Sequence, residues 1–245
     1  MGGGSPTLNY LFKYGNDPGS ALSSFPSVVP VADLSGTGRV ADDLYLLAHN
    51  ELTGRPYVQP RALGLGLAGA LLAELMLLGT ISLSRAGVTV ARRVIPGDEV
   101  TRQLLSLLLD EQDIHPVREW LLFTARTAAE DVAVRLEAAG YLTPLGGRGR
   151  LWRAKRWVPV DENCAFAPML RVRAALDAGR LPSAHGAVLA GLASACGLGF
   201  RLSKYAIPER GRSVEETVEL IGGGLRELIV QTRVAVDSAV LSHRV

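Results

Sequence analysis

The chain has 245 residues, 48% of them hydrophobic, and a formal net charge of +2. That length suits one large domain or two small ones with a sizeable core, and so even a charge balance is no proof of a nucleic-acid partner: any polyanion-binding surface must come from local clustering of Lys and Arg. Aromatic residues are only 6% of the chain, so the core must be aliphatic. Cys164 and Cys196, in apolar surroundings, read as reduced, buried thiols of a cytosolic protein.

Residues 1–37 are rich in Gly, Pro and Ser, with turn-forming stretches at MGGGSP and NDPGS. They read as a flexible extension ahead of a single domain at 38–245, with Leu11, Phe12 and Val28–Val31 available to that domain or to a partner. Residues 1–15 lack the apolar core of a signal peptide. Order is expected from Arg39. VADDLYLLAHNEL places Leu44, Leu47 and Ala48 on one helix face, with Asp42 and Asp43 in the first turn, where carboxylates complement the helix dipole. A metal or acid pair is the less favoured reading of those two. Thr53-Gly54-Arg55-Pro56 breaks the pattern, Tyr57–Gln59 is extended, and Pro60 suits the first position of the next helix.

That next helix, LGLGLAGALLAELMLLGT from Leu63 to Thr80, is apolar nearly all round, so it is a core helix or a membrane span. Glu74 favours the core, because a carboxylate at mid-bilayer costs about 2.5 kcal/mol or more, and the run is marginal against the roughly 20 residues a span needs. A satisfied contact with an arginine or a helix N-terminus is expected for Glu74. Gly64, Gly66 and Gly69 each lower helicity by up to about 1 kcal/mol relative to Ala, and let neighbouring backbones approach closely. No second long apolar run is read, so no transmembrane anchor is expected.

Ile81, Leu83, Val88, Val90 and Val94 have the period of strands around a turn near Arg85–Gly87. Helices are expected after Pro96-Gly97-Asp98, after His115-Pro116, and over about Thr127–Ala139, where Gly140 ends the run. Tyr141–Thr143 and Leu151–Val160 read as strands around the glycine-arginine turn 146–150. The remainder reads as helices over about Pro168–Ala178, Ala184–Cys196 and Val214–Val240, the last with a kink at Gly222–Gly224.

No P-loop, GxSxG, HExxH or paired CxxC is present, and His49, His115, His185 and His243 are dispersed. The chain therefore reads as a non-enzyme with no catalytic residues, no cofactor and no metal site. What remains is RGRLWRAKRW, where Arg148, Arg150, Arg153, Lys155 and Arg156 interleave with Trp152 and Trp157. Indoles favour the headgroup level of a bilayer, and each basic side chain is drawn to anionic lipid by about 1 kcal/mol. The competing readings are a hairpin with its tryptophans turned inward, and the wing of a winged-helix nucleic-acid binder. The last is disfavoured: the preceding helix offers chiefly Arg126 and Arg135 as readers, against Glu130, Asp131 and Glu137.

VADDLYLLAHNELTGRP, LGLGLAGALLAELMLLGTISL and RLEAAGYLT together resemble the Golgi phosphoprotein 3 (GPP34) domain family over roughly residues 40–240. The Ala, Gly, Arg and Leu content suggests a bacterial, actinobacterial-like member. The resemblance implies a mainly α single domain around the central apolar helix with a projecting hairpin, so the reading is a GPP34-like helical domain carrying two small β-hairpins. It also implies a peripheral membrane adaptor. Eukaryotic members bind phosphatidylinositol 4-phosphate, retain glycosyltransferases in the Golgi and link to a myosin. Their headgroup pocket uses a Trp just before the central helix, an Arg early in it, and two Arg spaced i, i+3 at the start of the helix that ends in G-x-L-T. The corresponding positions here are Gln59, Ala68, Arg126 and Ala129, so Arg126 alone keeps the family's residue, and Arg61 on the same edge is the candidate substitute. The expected ligand is thus an anionic, phosphoinositide-like headgroup held by Arg126 and Arg61. The hairpin residues Arg148, Arg150, Trp152, Arg153, Lys155, Arg156 and Trp157 are expected to touch the bilayer. The expected setting is the cytoplasmic, inner face of the cell membrane, with a protein partner reached through residues 1–37 and a homo-oligomer as further associations. The alternative is a soluble scaffold for a trafficking or biosynthetic partner; nucleic acid ranks last.

Overall fold

The apolar run forms the helix on which the others pack. In this computed structural model, which describes residues 37–145, 156–203 and 211–241, helix α2 spans Pro60–Leu77 and is buried from Ala62 to Leu75. Helix α1 (Val40–Ala48) lies along it. After α2 come the hairpin β1 (Ile81–Ser84) and β2 (Gly87–Val90), then α3 (Glu99–Asp110), α4 (Val117–Thr124) and α5 (Ala128–Ala138). The second hairpin, β3 (Leu142–Pro144) and β4 (Trp157–Pro159), leads to α6 (Glu162–Ala175), α7 (Ala184–Ala193), a π-turn at Ser194–Leu198, α8 (Gly199–Ser203), α9 (Val214–Ile221) and α10 (Gly223–Leu241). Among the described residues the fold is mainly helical with two antiparallel two-stranded sheets, as the sequence implies.

The glycines of α2 are points of contact. A Cβ on Gly64 would lie 2.5 Å from the carbonyl oxygen of Ala125, and one on Gly69 would lie 2.7 Å from Thr232 Oγ1 on α10. On Gly66 it would collide with Cys196 Sγ. Three neighbours therefore ride directly on the helix backbone. Leu44, Leu67, Leu71, Leu75, Leu121, Leu136, Leu189 and Leu192 fill the interior around it.

Several boundaries differ from the sequence reading for local reasons. Strand β2 ends at Val90, and Val94 is exposed in an extended segment beyond it. Helix α6 begins at Glu162, because Asp161 caps it by accepting the Cys164 N–H; Pro168 is an interior residue, not the start. The long C-terminal helix breaks fully at Gly222, whose φ of 53° lies in the left-handed region that favours glycine. Ser213 and Glu216 close a capping box at the start of α9. A second helical run long and apolar enough to cross a membrane is present after all, Ala184–Ser203. It is interrupted at Gly197, with φ 94°. Both runs are mostly buried inside the fold, 78% for Pro60–Leu77 and 67% for Ala184–Ser203, as core helices are. The expected extension lies outside the described residues, apart from Thr37.

Glu74 has both of the partners expected for it. Its Oε1 accepts the N–H of Ala41, at the start of α1, at 2.8 Å, and its Oε2 lies 3.3 Å from Arg135 Nη1. Arg135 also reaches Asp42 at 2.6 Å and Asp98 at 2.9 Å, and Arg39 lies 3.3 Å from the second oxygen of Asp98. Burial pushes the carboxyls of Asp42 and Glu74 above the ordinary range, against the pull of Arg135. Asp98 feels burial too, but hydrogen bonds from Thr101 and Arg135 hold it below its usual value. Asp43 is equally buried and meets Arg171 and His185, each at 2.7 Å. Asp42 and Asp43 do stand in the first turn of α1, but their side chains are core ion pairs linking α1 to α5, α6 and α7, and not solvent-exposed complements to a dipole. Arg135 is likewise sealed in the core, which removes one of the two basic readers that a winged-helix reading requires.

At the end of α1, His49 stacks on Tyr45 with centroids 3.9 Å apart and donates from Nδ1 to the Tyr45 carbonyl at 2.7 Å. Burial lowers the imidazole below its usual 6.5 and pushes the Tyr45 phenol up to about 12. Between the lowered value and 6.5 the unfolded chain binds more protons than the folded one. The His49 contribution is therefore complete above 6.5 and is lost as pH falls through the lowered value. Melting temperature is expected to fall more steeply from about pH 7 to 5 in the wild type than in His49→Gln. Parallel curves would assign the acid limb to another group.

Candidate functional site

Four segments meet at the N-terminal end of α2. The first is the loop that leads into it. Asn50 Oδ1 accepts the backbone N–H groups of Leu52 and Thr53 and so folds the loop back. Gly54 then lies flat on the carbonyl of Trp157, where any side chain would collide, with the Arg156 side chain beside it. The second segment is therefore the tip-ward end of the β3–β4 hairpin, where Pro144 pairs with Trp157. The third is the α4–α5 corner: the close approach of Gly64 to Ala125 sets Phe123 and Arg126 beside the first turns of α2. The fourth is the π-turn and α8. Gly197 lies against Val58 at 3.9 Å, and the guanidinium of Arg201 sits over the Tyr57 ring, 3.6 Å from its centroid.

The resulting end is cationic. Arg55, Arg61 and Arg126 are exposed, and Arg156 and Arg201 are half-buried. Arg126 stands 5.8 Å over the Phe123 ring, within cation–π range. Glu51 supplies a carboxylate here and accepts from the Tyr57 hydroxyl at 3.2 Å. Helix α2 itself starts with Pro60, has no acidic residue in its first turn, and makes no side-chain cap through Gln59. Its positive pole thus opens onto the cationic end, an arrangement that attracts anions.

The structure brings the two expected headgroup residues, Arg61 and Arg126, to the same end of the fold. Of the replaced family positions, Gln59 is exposed, Ala129 half-buried and Ala68 fully buried. Arg148, Arg150, Trp152, Arg153 and Lys155 lie outside the described residues. Trp157 does not fit its assignment to the membrane: it is only 6% exposed, and its indole N–H donates to Glu137 Oε2 at 2.7 Å. With Glu137 on the preceding helix satisfying the N–H, the ring can be sealed against the core. Arg201 and Tyr57 were not singled out from sequence. They lie far apart along the chain, and neither sits in a local basic or aromatic cluster among the described residues. Arg201 Nε is buried and has no hydrogen-bond partner among the described residues. Also among the described residues, no group of three or more His, Cys, Asp or Glu is placed to hold a metal ion.

No match to the chain was found among curated proteins. The family model for Golgi phosphoprotein 3 (GPP34) matches residues 40–232, which takes in the central helix, both hairpins and all four segments of the cationic end. On that match, which spans well over half of its length, the chain belongs to the Golgi phosphoprotein 3 (GPP34) family.

Proposed function

We propose that the protein is a non-enzymatic peripheral membrane adaptor that binds anionic phospholipid headgroups at the N-terminal end of α2. The observation that carries this reading is the meeting of Arg61 and Arg126 with Arg55, Arg156 and Arg201 around an uncapped helix N-terminus, beside the Trp157 end of the β3–β4 pairing. Arg61 and Arg126 hold the headgroup, and Arg201, steadied on Tyr57, replaces charge that the Ala68 and Ala129 positions no longer supply. The hairpin stretch 148–156 adds basic side chains, each worth about 1 kcal/mol at an anionic surface. The protein acts at the inner face of the cell membrane, with residues 1–37 as its handle for a protein partner.

The test is co-sedimentation with vesicles of phosphatidylcholine alone and of phosphatidylcholine mixed with phosphatidylglycerol. Binding is expected only to the mixed vesicles, to weaken with salt, and to fall about 30-fold in Arg61→Gln/Arg126→Gln, two charges at about 1 kcal/mol each. Equal binding to both vesicle types, or an unchanged double variant, overturns the proposal.

A further inference from the structure

We propose that the outer face of α6 is a self-association surface, and that its partner is a second copy of this chain, packed α6 against α6 in antiparallel fashion about a two-fold axis.

The exposed residues of α6 fall on one arc. At about 100° per residue, Glu162, Asn163, Phe166, Leu170 and Arg173 share about 100° of the helix circumference. Ala167, Pro168, Val172 and Ala175 are buried on the other side. The middle of the arc is apolar: Phe166 and Leu170, one turn apart, are 47% and 46% exposed. Its ends are charged with opposite sign, Glu162 in the first turn and Arg173 in the last. Among the described residues, neither of these two side chains has a hydrogen bond or ion pair within the chain.

That order of side chains is complementary to itself. Phe166 and Leu170 stand about 3 Å along the axis on either side of Pro168, at 1.5 Å per residue, and Glu162 and Arg173 stand about 9 Å and about 7.5 Å out. A single two-fold axis over the middle of the helix therefore sets Phe166 on the partner's Leu170 and Glu162 beside the partner's Arg173. Each contact is made twice, as an isologous interface requires. The result is an apolar centre with a paired, charged rim. A parallel pair would instead set acid on acid and base on base. The outer face of α10 provides a contrast. Val230 and Val234 are exposed there at the same spacing, but Glu227 and Asp237 flank them, so the equivalent axis would oppose two carboxylates. One face of a 14-residue helix covers less than the roughly 800 Å² per partner of a standard interface. The dimer is accordingly a weak and reversible one.

The experiment is sedimentation velocity on the full chain from about 1 µM to about 1 mM, the affinity range of a weak interface. The wild type is expected to pass from monomer to dimer within that range. Glu162→Arg alone, or Arg173→Glu alone, turns two attractive contacts into two repulsive ones and is expected to weaken the dimer about tenfold. An equimolar mixture of the two single variants is expected to dimerise as the wild type does, because in the mixed pair both contacts again join opposite charges. That recovery also shows that each variant is folded. Phe166→Ser/Leu170→Ser is expected to stay monomeric while keeping the wild-type melting temperature. A wild type that stays monomeric throughout overturns the proposal. So does a dimer indifferent to the exchanges, or a mixture no stronger than its components.

Discussion

Arg135→Met is expected to destabilise the protein by about 3–5 kcal/mol, the usual cost of breaking a buried ion pair from one side. Methionine keeps much of the packing volume, so the loss isolates the charge. It leaves Asp42, Glu74 and Asp98 beside one another, and the cation still paired with them among the described residues is the half-exposed Arg39, at Asp98. At about 2–4 °C per kcal/mol for a domain of this size, the melting temperature should fall by about 10 °C. Glu74→Gln should cost little by comparison. Burial already disfavours the Glu74 carboxylate, and the amide oxygen can still accept the Ala41 N–H. The pH response adds a signature. Without Arg135, the upward push of burial on the folded values of Asp42 and Glu74 loses its main opposition, so their favourable term is present at low pH and lost as pH rises. Arg135→Met should therefore gain stability relative to wild type between about pH 7 and 5. Thermal unfolding followed by circular dichroism reads both effects; a variant within about 1 kcal/mol of wild type would mean that the three carboxyls are kept protonated without it.

The second large effect is steric. Gly66→Ala drives a methyl into Cys196 Sγ, with Leu44 Cδ2 only 3.5 Å away on the α1 side. Overpacking of this kind costs about 1–3 kcal/mol, and more where neighbours cannot yield. Here the obstacle is a side chain, so removing it should help. Gly66→Ala/Cys196→Ala is expected to be more stable than the sum of its single variants implies, with a coupling of about 1 kcal/mol or more. Strict additivity in denaturant unfolding would refute the contact. Gly64→Ala is a useful contrast. Its obstacle is the backbone oxygen of Ala125, 2.5 Å from the new Cβ, so no single truncation relieves it. Such a change pushes the corner carrying Arg126 away from Arg61 and should weaken vesicle binding as well as stability.

These two cases show what was legible in the sequence and what was not. The central helix announced itself through an apolar run too continuous for a surface element, and Glu74 within it demanded a partner. Which partner was hidden, because Arg135 lies 61 residues further on, on another helix. Asp42 and Asp43 misled for the same reason: a polar pair in a first turn looks alike whether it meets solvent or a buried arginine. Trp157 could be placed on either face by strand alternation, and Glu137, on another element, settled it. At the cationic end, Arg126 and Arg61 were singled out through helix position and family resemblance. The Tyr57–Arg201 stack joins segments that are neighbours only after the turn at Gly197 has formed, so no local pattern marks it. The second long apolar run was read as a shorter helix because Gly197 and Arg201 interrupt its periodicity.

The carboxylate cluster around Arg135 also has a bearing on synthesis. Its acids come from residues 42, 74 and 98, and the cation that neutralises them is decoded only at position 135. A nascent chain emerging from the ribosome therefore carries its greasiest helix together with three carboxylates that it cannot yet bury. Collapse of that fragment alone would bury carboxylates without their cation, so the cluster is complete only once α5 is made. Thr232, which seats the last helix on Gly69, comes nearly a hundred codons later still. The same rod is thus completed by two late segments, one through charge and one through close packing.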